Sequence, residues 1–399
     1  MQDAWLGPFL SEGMKHIGPP PESLPPGADG RLIPLSWGYP SPDSFPLEEM
    51  ARALRLTLEE EGAASLQYSG GPSCARLREV LAHLVLARRI HCGPEDILVT
   101  TGSNQAIDLV ARAFVDPGDV VLVEDPTFFT ALRIFQSRAA RVRGITVEED
   151  GLSVAELEQV LHDLNRKGER VKVLYLIPSF QNPTGRTLGP RKRARIVELA
   201  QRYDFLILED DAYGLLYYDS PPPPALKSTD DEGRVIYVST LSKLIAPGIR
   251  LGWAVAPPPV LSALRQVKLD AGTSPFMQAF AYRLWEQIGE ARADWLRSLY
   301  RPRRDAMLAA LEKESPGGFR WTRPGGGFFI WVEGPAGFDA ASFRPLASGS
   351  GVDFIPGANF SGDGKARAGM RLCFSYCSIP EIEEGVSRLA RALRQHAGT

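Results

Sequence analysis

Between residues 96 and 243 the chain alternates short, nearly continuous apolar runs with stretches of helical period. The runs are DILVTTG, DVVLVEDP, VKVLYLIPS, FLILEDDAY and RVIYVSTLSK. The helical stretches include NQAIDLVARAF, TALRIFQSR and RKRARIVELAQRY. A strand that reads as a continuous apolar run is covered on both faces, and strands separated by helices pair in parallel. This pattern predicts an α/β fold with a mostly parallel central sheet flanked by helices. Two more helical stretches, PLEEMARALRLTLEE and ARLREVLAHLVLARR, precede it.

After about residue 290 the pattern changes. A long helix, ARADWLRSLYRPRRDAMLAALEKE, leads into FRWTRPGGGFFIWV, VDFIPG and MRLCFSYC, and PEIEEGVSRLARALRQ closes the chain. These segments predict a smaller α+β domain over residues 291–399, with the large domain over 46–290. Residues 1–45 then form an N-terminal arm and part of the small domain. Residues 1–30, which end in GPPPESLPPGADG, are too rich in Pro and Gly to fold alone.

Bulk properties exclude several function classes. The formal net charge is −3, so no general attraction to nucleic acid or an anionic membrane is expected. No apolar run is long enough to span a bilayer. The start, MQDAWLGPFLSEGMKH, lacks the basic-then-apolar pattern of a secretory signal. The four cysteines, Cys74, Cys92, Cys373 and Cys377, show no zinc-ligand spacing. Cys373, Ser375 and Cys377 alternate, which places them on one face of a strand, as reduced thiols. The expectation is a cytoplasmic protein with no metal.

The chemistry-bearing residues cluster just after the strands, where open α/β sheets bind ligands. In VSTLSKLIAPGIRLGW a strand ends in hydroxyls, followed by Lys243 and Arg250. Thr240, Ser242 and Arg250 offer the donors and positive charge that a phosphate dianion needs. A lysine near such groups is a nucleophile with a lowered pKa. A solvated lysine at a strand end is the blander alternative. In LEDDAYG, Asp210 closes an apolar strand and Tyr213 follows. A carboxylate there suits a pyridine nitrogen that must stay protonated. Asp211 is assigned a capping or surface role. In PSFQNPTGR, Asn182 precedes Pro183 in an extended or turn conformation, and its amide is a candidate donor to a ligand. In TTGSNQAIDL a glycine turn opens a helix at Ser103 and Asn104, a ready anion site or an ordinary helix cap. In EDPTFF, Phe128 is either a stacking ring or plain core.

In their order and spacing these motifs resemble the fold-type I, pyridoxal 5′-phosphate (PLP) dependent aminotransferases of class I/II. The 2-aminoadipate, kynurenine and aromatic aminotransferase subgroup is the most similar. The likeness runs from about residue 31 to 395. It implies that Lys243 carries the cofactor, that Asp210 holds the ring nitrogen, and that Tyr213, Asn182 and Phe128 surround the ring. Ser103, Asn104, Thr240, Ser242 and Arg250 would form the phosphate cup. Tyr68, in LQYSGG, would reach the phosphate bound by a second subunit, which implies a homodimer with shared sites. Ser274, in GTSPFMQ, falls in a further segment of that shared interface. Arg371, in MRLCFS, would grip the substrate α-carboxylate. Gly38 and Tyr39, in SWGYP, would close over the substrate beside Asn182.

Two departures from the family pattern fall near the substrate end or the dimer contact. Trp37 stands where the first glycine of a pair is usual, with Tyr39 in place of Leu, and Ser73 stands where Gly is usual. The implied activity is transfer of an amino group from an L-amino acid, aromatic, 2-aminoadipate-like or varied, to a 2-oxo acid. The expected acceptor is 2-oxoglutarate and the expected scheme is ping-pong. The same residues would serve a β-lyase, a decarboxylase or a racemase. The reading from another class is an aminotransferase-like regulatory domain. That needs a winged-helix module, for which the Pro-rich N-terminal segment has no room.

Overall fold

The computed structural model describes residues 6–18, 32–68, 71–362 and 364–397. Most of the expected arm therefore lies outside the described residues. The first half of the chain forms α1 (Glu12–His16), β1 (Ile33–Pro34), α2 (Leu47–Glu60), α3 (Ser73–Leu86), β2 (Ile97–Thr100), α4 (Ser103–Phe114) and β3 (Val120–Asp125). Next come α5 (Phe129–Ser137), β4 (Arg141–Glu148), β5 (Gly151–Leu152), α6 (Val154–Arg166), β6 (Val171–Leu176), α7 (Pro190–Tyr203) and β7 (Leu206–Asp210). Then follow β8 (Val235–Thr240), β9 (Gly252–Val255), α8 (Pro258–Val267), α9 (Pro275–Ile288) and the long α10 (Ala291–Glu314). The last part holds β10 (Arg320–Trp321), β11 (Phe329–Glu333), α11 (Ala340–Gly349), β12 (Val352–Asp353), β13 (Ile355–Pro356), β14 (Gly369–Cys373) and α12 (Ile379–Ala397).

The large sheet has the order β2-β9-β8-β7-β6-β3-β4-β5. Neighbours from β8 through β7, β6 and β3 to β4 are parallel. β9 runs against both β8 and β2. Two reversals return β2 to the direction of β8. The carboxyl ends of β2, β3, β6, β7 and β8 therefore share one edge, where a ligand meets an open sheet of this kind. Every residue of β3 and β8 is buried, as their apolar runs require.

Two apolar layers cover the sheet. One includes Ile107 and Val110 of α4, Leu132 and Phe135 of α5 and Leu261 of α8. The other includes Leu157 and Leu161 of α6 and Ile196 of α7. A third cluster runs from Leu77 of α3 through Phe280 of α9 and Tyr300 of α10 to Phe329 and Leu372 of the second sheet. That second sheet has the order β10-β11-β14-β13. β1 pairs with β12, which ties residues 33–34 to the C-terminal lobe.

Several elements are absent from the sequence reading for physical reasons. β4 alternates exposed and covered residues along RVRGITVE, so it lacks an apolar run. β9 is a four-residue segment caught between a Pro-Gly turn and prolines. The strand expected through Cys373, Ser375 and Cys377 stops at Cys373. The Ser375 hydroxyl lies 3.1 Å from Cys373 Sγ and donates to the Tyr39 carbonyl at 2.6 Å, so the chain leaves the ladder there. Among the described residues no helix is long and apolar enough to cross a membrane.

Candidate active site

A cavity of about 400 Å³ opens at the shared strand edge. Its walls include Ser103, Asn104, Phe128, Asn182, Asp210, Tyr213, Thr240, Ser242, Lys243, Arg250 and Arg371, together with Gly38 and Tyr39. Four strand ends and the N-terminus of α4 thus deliver the residues singled out in the sequence to one place. Tyr68 lies apart from it and is 86% exposed. A larger and more open groove of about 1220 Å³ runs between residues 147–150 and 319–323, but none of these groups lines it. The candidate residues gather in the smaller cavity.

The turn after β8 sets the lysine. Lys243 is half-buried, and its Nζ donates to the Gly38 carbonyl at 3.0 Å. Nζ also lies 5.9 Å from the ring centre of Tyr213 and 5.5 Å from that of Phe328. Burial is the main force that lowers its pKa to about 8; Cys373 and, more weakly, Asp210 oppose it, while the Arg371 and Arg250 guanidiniums act with it. Near neutral pH this amine is far more often uncharged, and hence nucleophilic, than a surface lysine.

Opposite the lysine, Asp210 ends β7 and is buried. Its Oδ2 accepts the Tyr175 hydroxyl at 2.9 Å, while Oδ1 has no partner among the described residues. Burial raises its pKa to about 7, partly offset by the Tyr175 hydrogen bond. An orphaned carboxylate oxygen is costly unless a ligand group completes it.

Arg371 in β14 is also buried. Its Nη1 donates to Asn182 Oδ1 at 3.1 Å and its Nη2 to the Ser36 carbonyl at 2.8 Å, while Nε has no partner among the described residues. The guanidinium lies 4.3 Å from the ring centre of Phe329 and 5.0 Å from that of Phe360. Among the described residues no carboxylate pairs with it. A desolvated cation without a counter-ion marks a place for an anionic ligand group. The bond to Arg371 also orients Asn182, turning its NH₂ end away from the guanidinium.

The opposite end of the cavity gathers groups that suit a phosphate. Gly102, at φ 81°, precedes α4 and leaves Ser103 and Asn104 at the helix N-terminus. The Arg250 guanidinium occupies the space that a Cβ on Gly102 would need. Thr240 Oγ1 lies 2.8 Å from Ser242 Oγ. Helix N–H groups, two hydroxyls and a guanidinium form a dianion cup. Gly38 has an equally local reason to be glycine, since its Cβ would stand 3.0 Å from the Phe329 ring. That close approach brings Trp37 and Tyr39 over the cavity.

Asp211 differs from its assigned surface role. It is buried, and its Oδ2 takes the Arg88 Nε at 2.6 Å and the Tyr237 hydroxyl at 3.1 Å. An unpaired buried charge costs about 3–5 kcal/mol, so Arg88 is what allows Asp211 to sit beneath the site. Tyr175, Ser36, Phe329 and Arg88 are further contributors the sequence did not reveal. A tyrosine inside the aliphatic run VKVLYL was the one available signal.

These groups fit PLP, the cofactor implied by the resemblance. The orphaned oxygen of Asp210 suits a protonated pyridine nitrogen, the cup around Arg250 suits the phosphate, and the Lys243 amine suits the aldehyde.

The sequence matches the family described as aminotransferase class I and II over residues 31–389. It is 39% identical over 368 residues to aromatic-amino-acid aminotransferase 1 of Thermococcus litoralis, covering 91% of this chain and 88% of that one. It is 37% identical to the 2-aminoadipate transaminase of Thermus thermophilus, covering 91% and 90%. The structure resembles a kynurenine aminotransferase from Pyrococcus horikoshii solved in complex with PMP. There the TM-score is 0.90 and the identity 36%, over 99% of both chains.

Proposed function

As a member of the class I and II aminotransferase family, this chain is a PLP-dependent transaminase acting on amino and 2-oxo acids, and we propose that it takes bulky, largely aromatic or 2-aminoadipate-like L-amino acids. The proposed acceptor is 2-oxoglutarate, in a ping-pong scheme. The observation that carries the site assignment is Arg371, a buried cation with no counter-ion among the described residues, in the cavity that holds Lys243 and Asp210.

Lys243 is the residue that would carry the cofactor, Asp210 would hold the ring nitrogen, and Asn182, Tyr213 and Phe128 would surround the ring. Ser103, Asn104, Thr240, Ser242 and Arg250 would hold the phosphate. PLP supplies an aldehyde that takes up the amino group and a ring that draws electrons from the substrate α-carbon. Arg371 binds the α-carboxylate through its guanidinium fork. The Lys243 amine moves the α-proton, first as base and then as acid. The turn Trp37–Gly38–Tyr39 covers the reacting centre and excludes water.

Aromatic surface from Trp37, Tyr39, Phe128, Phe129 and Phe329 lines the cavity and supports the choice of donor. A screen of amino donors, read by glutamate released from 2-oxoglutarate, tests it. Tryptophan, phenylalanine, kynurenine and 2-aminoadipate should outrank aspartate. Trp37→Ala and Tyr39→Ala should re-rank the donors. An unchanged order in both variants would remove the turn from the specificity account.

The lowered pKa of Lys243 gives a pH prediction. Neutral amine is the reactive form, so covalent uptake of PLP by the apo protein should accelerate about tenfold per pH unit below the pKa. The rise should level off near pH 8, the value set by burial, and not near 10.5. Continued acceleration to pH 10 would place the amine in water.

We also place the domain limits at residues 46 and 291, the second coinciding with the start of α10. The protein is proposed to be a cytoplasmic homodimer with shared sites. Tyr68 and Leu66 are exposed beside α2, as are Leu47, Leu54 and Leu58 along it. Ser274, which caps α9 by accepting from the Met277 N–H, lies in the other segment of the proposed interface. Mixing inactive Lys243→Ala with inactive Tyr68→Ala under conditions of subunit exchange should restore part of the activity. A stable, fully active monomer would refute shared sites.

A further inference from the structure

Asp210 is held from behind by one side chain, and that side chain sits in an unusual place. Tyr175 is the penultimate residue of β6, the strand beside β7, and pairs in register with Leu208. It is fully buried in the layer between the sheet and α5, with its ring 6.1 Å from that of Phe135 in an edge-on arrangement. The other residue of β6 in this layer, Val173, is aliphatic. A hydroxyl in such a layer is costly unless it is bonded. Its bond is to Asp210 Oδ2 at 2.9 Å. With Oδ2 so engaged, Oδ1 is the oxygen left without a partner among the described residues.

We propose that Tyr175 is a positioning residue for transamination: its phenol fixes the rotamer of Asp210 and stabilises that carboxylate in its ionised form, so that Oδ1 is presented to the cofactor's ring nitrogen. This rests on the PLP reading of the site. A hydroxyl that donates to a carboxylate favours the charged form. Burial pushes the Tyr175 phenol well above its ordinary pKa, so it remains a donor at every working pH. The charged and titratable groups around Asp210 include Asp211, Glu124, Lys243 and Tyr213. Asp211 raises the Asp210 pKa and Lys243 lowers it, while Asp210 in turn raises those of Glu124 and Tyr213. None of these four hydrogen-bonds the carboxylate directly among the described residues; Tyr175 does. Removing the donor should let burial dominate and leave Asp210 neutral over more of the pH range.

The test is Tyr175→Phe, alone and combined with Asp210→Asn. Tyr175→Phe keeps the ring that packs on Phe135, and borohydride should still fix PLP to Lys243. Its kcat should fall about ten- to a hundredfold, the range for a hydrogen bond to a charged group, with KM little changed. The acid limb of its pH profile, and the pH titration of the bound cofactor's absorbance, should both move to higher pH. In the Asp210→Asn background the same substitution should change neither kcat nor the spectrum, because the carboxylate it serves is gone. If Tyr175→Phe leaves kcat and the absorbance titration unchanged, or impairs the enzyme equally in the Asp210→Asn background, Tyr175 has only a packing role. Absence of PLP binding or transamination in the wild-type protein would instead overturn the reading of the whole site.

Discussion

Lys243→Ala is expected to lose at least about a thousandfold in kcat with every amino donor, the scale of a positioned general base together with the nucleophile that carries the cofactor. The residues proposed to hold the phosphate do not include the lysine, so the variant should still bind PLP, now without a covalent link. Borohydride should no longer fix a pyridoxyl group to the chain. Lys243→Arg should fail as badly, because a guanidinium stays protonated and cannot act as a nucleophile. Small primary amines should restore part of the proton transfer. Borohydride labelling at another lysine in the wild-type protein would displace Lys243 from this role.

Arg371→Ala should reduce kcat/KM for all amino acid substrates by a similar factor. Truncating one partner of a buried charge pair costs about 2–5 kcal/mol, which corresponds to a loss of roughly thirty- to several-thousandfold. The uniformity follows from what Arg371 would touch, a carboxylate common to every substrate. Arg371→Lys should recover little, since one ammonium cannot reproduce two bonds to Asn182 and Ser36 while gripping a carboxylate. An Arg371→Ala variant that changes the order of substrates, beside Trp37 and Tyr39 variants that do not, would mean the two roles are exchanged.

Much of this architecture is legible in the sequence because it rests on period and punctuation. β3, β6, β7 and β8 are buried on both faces and therefore read as apolar runs. The residues that close them, Asp210 and the segment from Thr240 to Lys243, stand at the ligand edge. β4 and β9 were not legible, since one alternates at a partly exposed position and the other is too short to show a period. The supporting contacts were hidden for a different reason. Tyr175 to Asp210 spans 35 positions and Arg88 to Asp211 spans 123. Side chains that meet only through strand order leave no local pattern. Asp211 shows the limit most plainly. Beside Asp210 it reads as one of an acidic pair at a strand end, and only the fold brings Arg88 beneath it. Tyr68 is a third case, because an exposed tyrosine in one chain reveals nothing of a second.

The most direct measurement is a single half-reaction. The PLP-loaded protein is mixed with an aromatic L-amino acid and no 2-oxo acid, and the products are counted per active site. One equivalent of the corresponding 2-oxo acid is expected, with the bound cofactor left as pyridoxamine phosphate and restored by 2-oxoglutarate. Release of ammonia or carbon dioxide, or racemised amino acid with the cofactor unchanged, would contradict it.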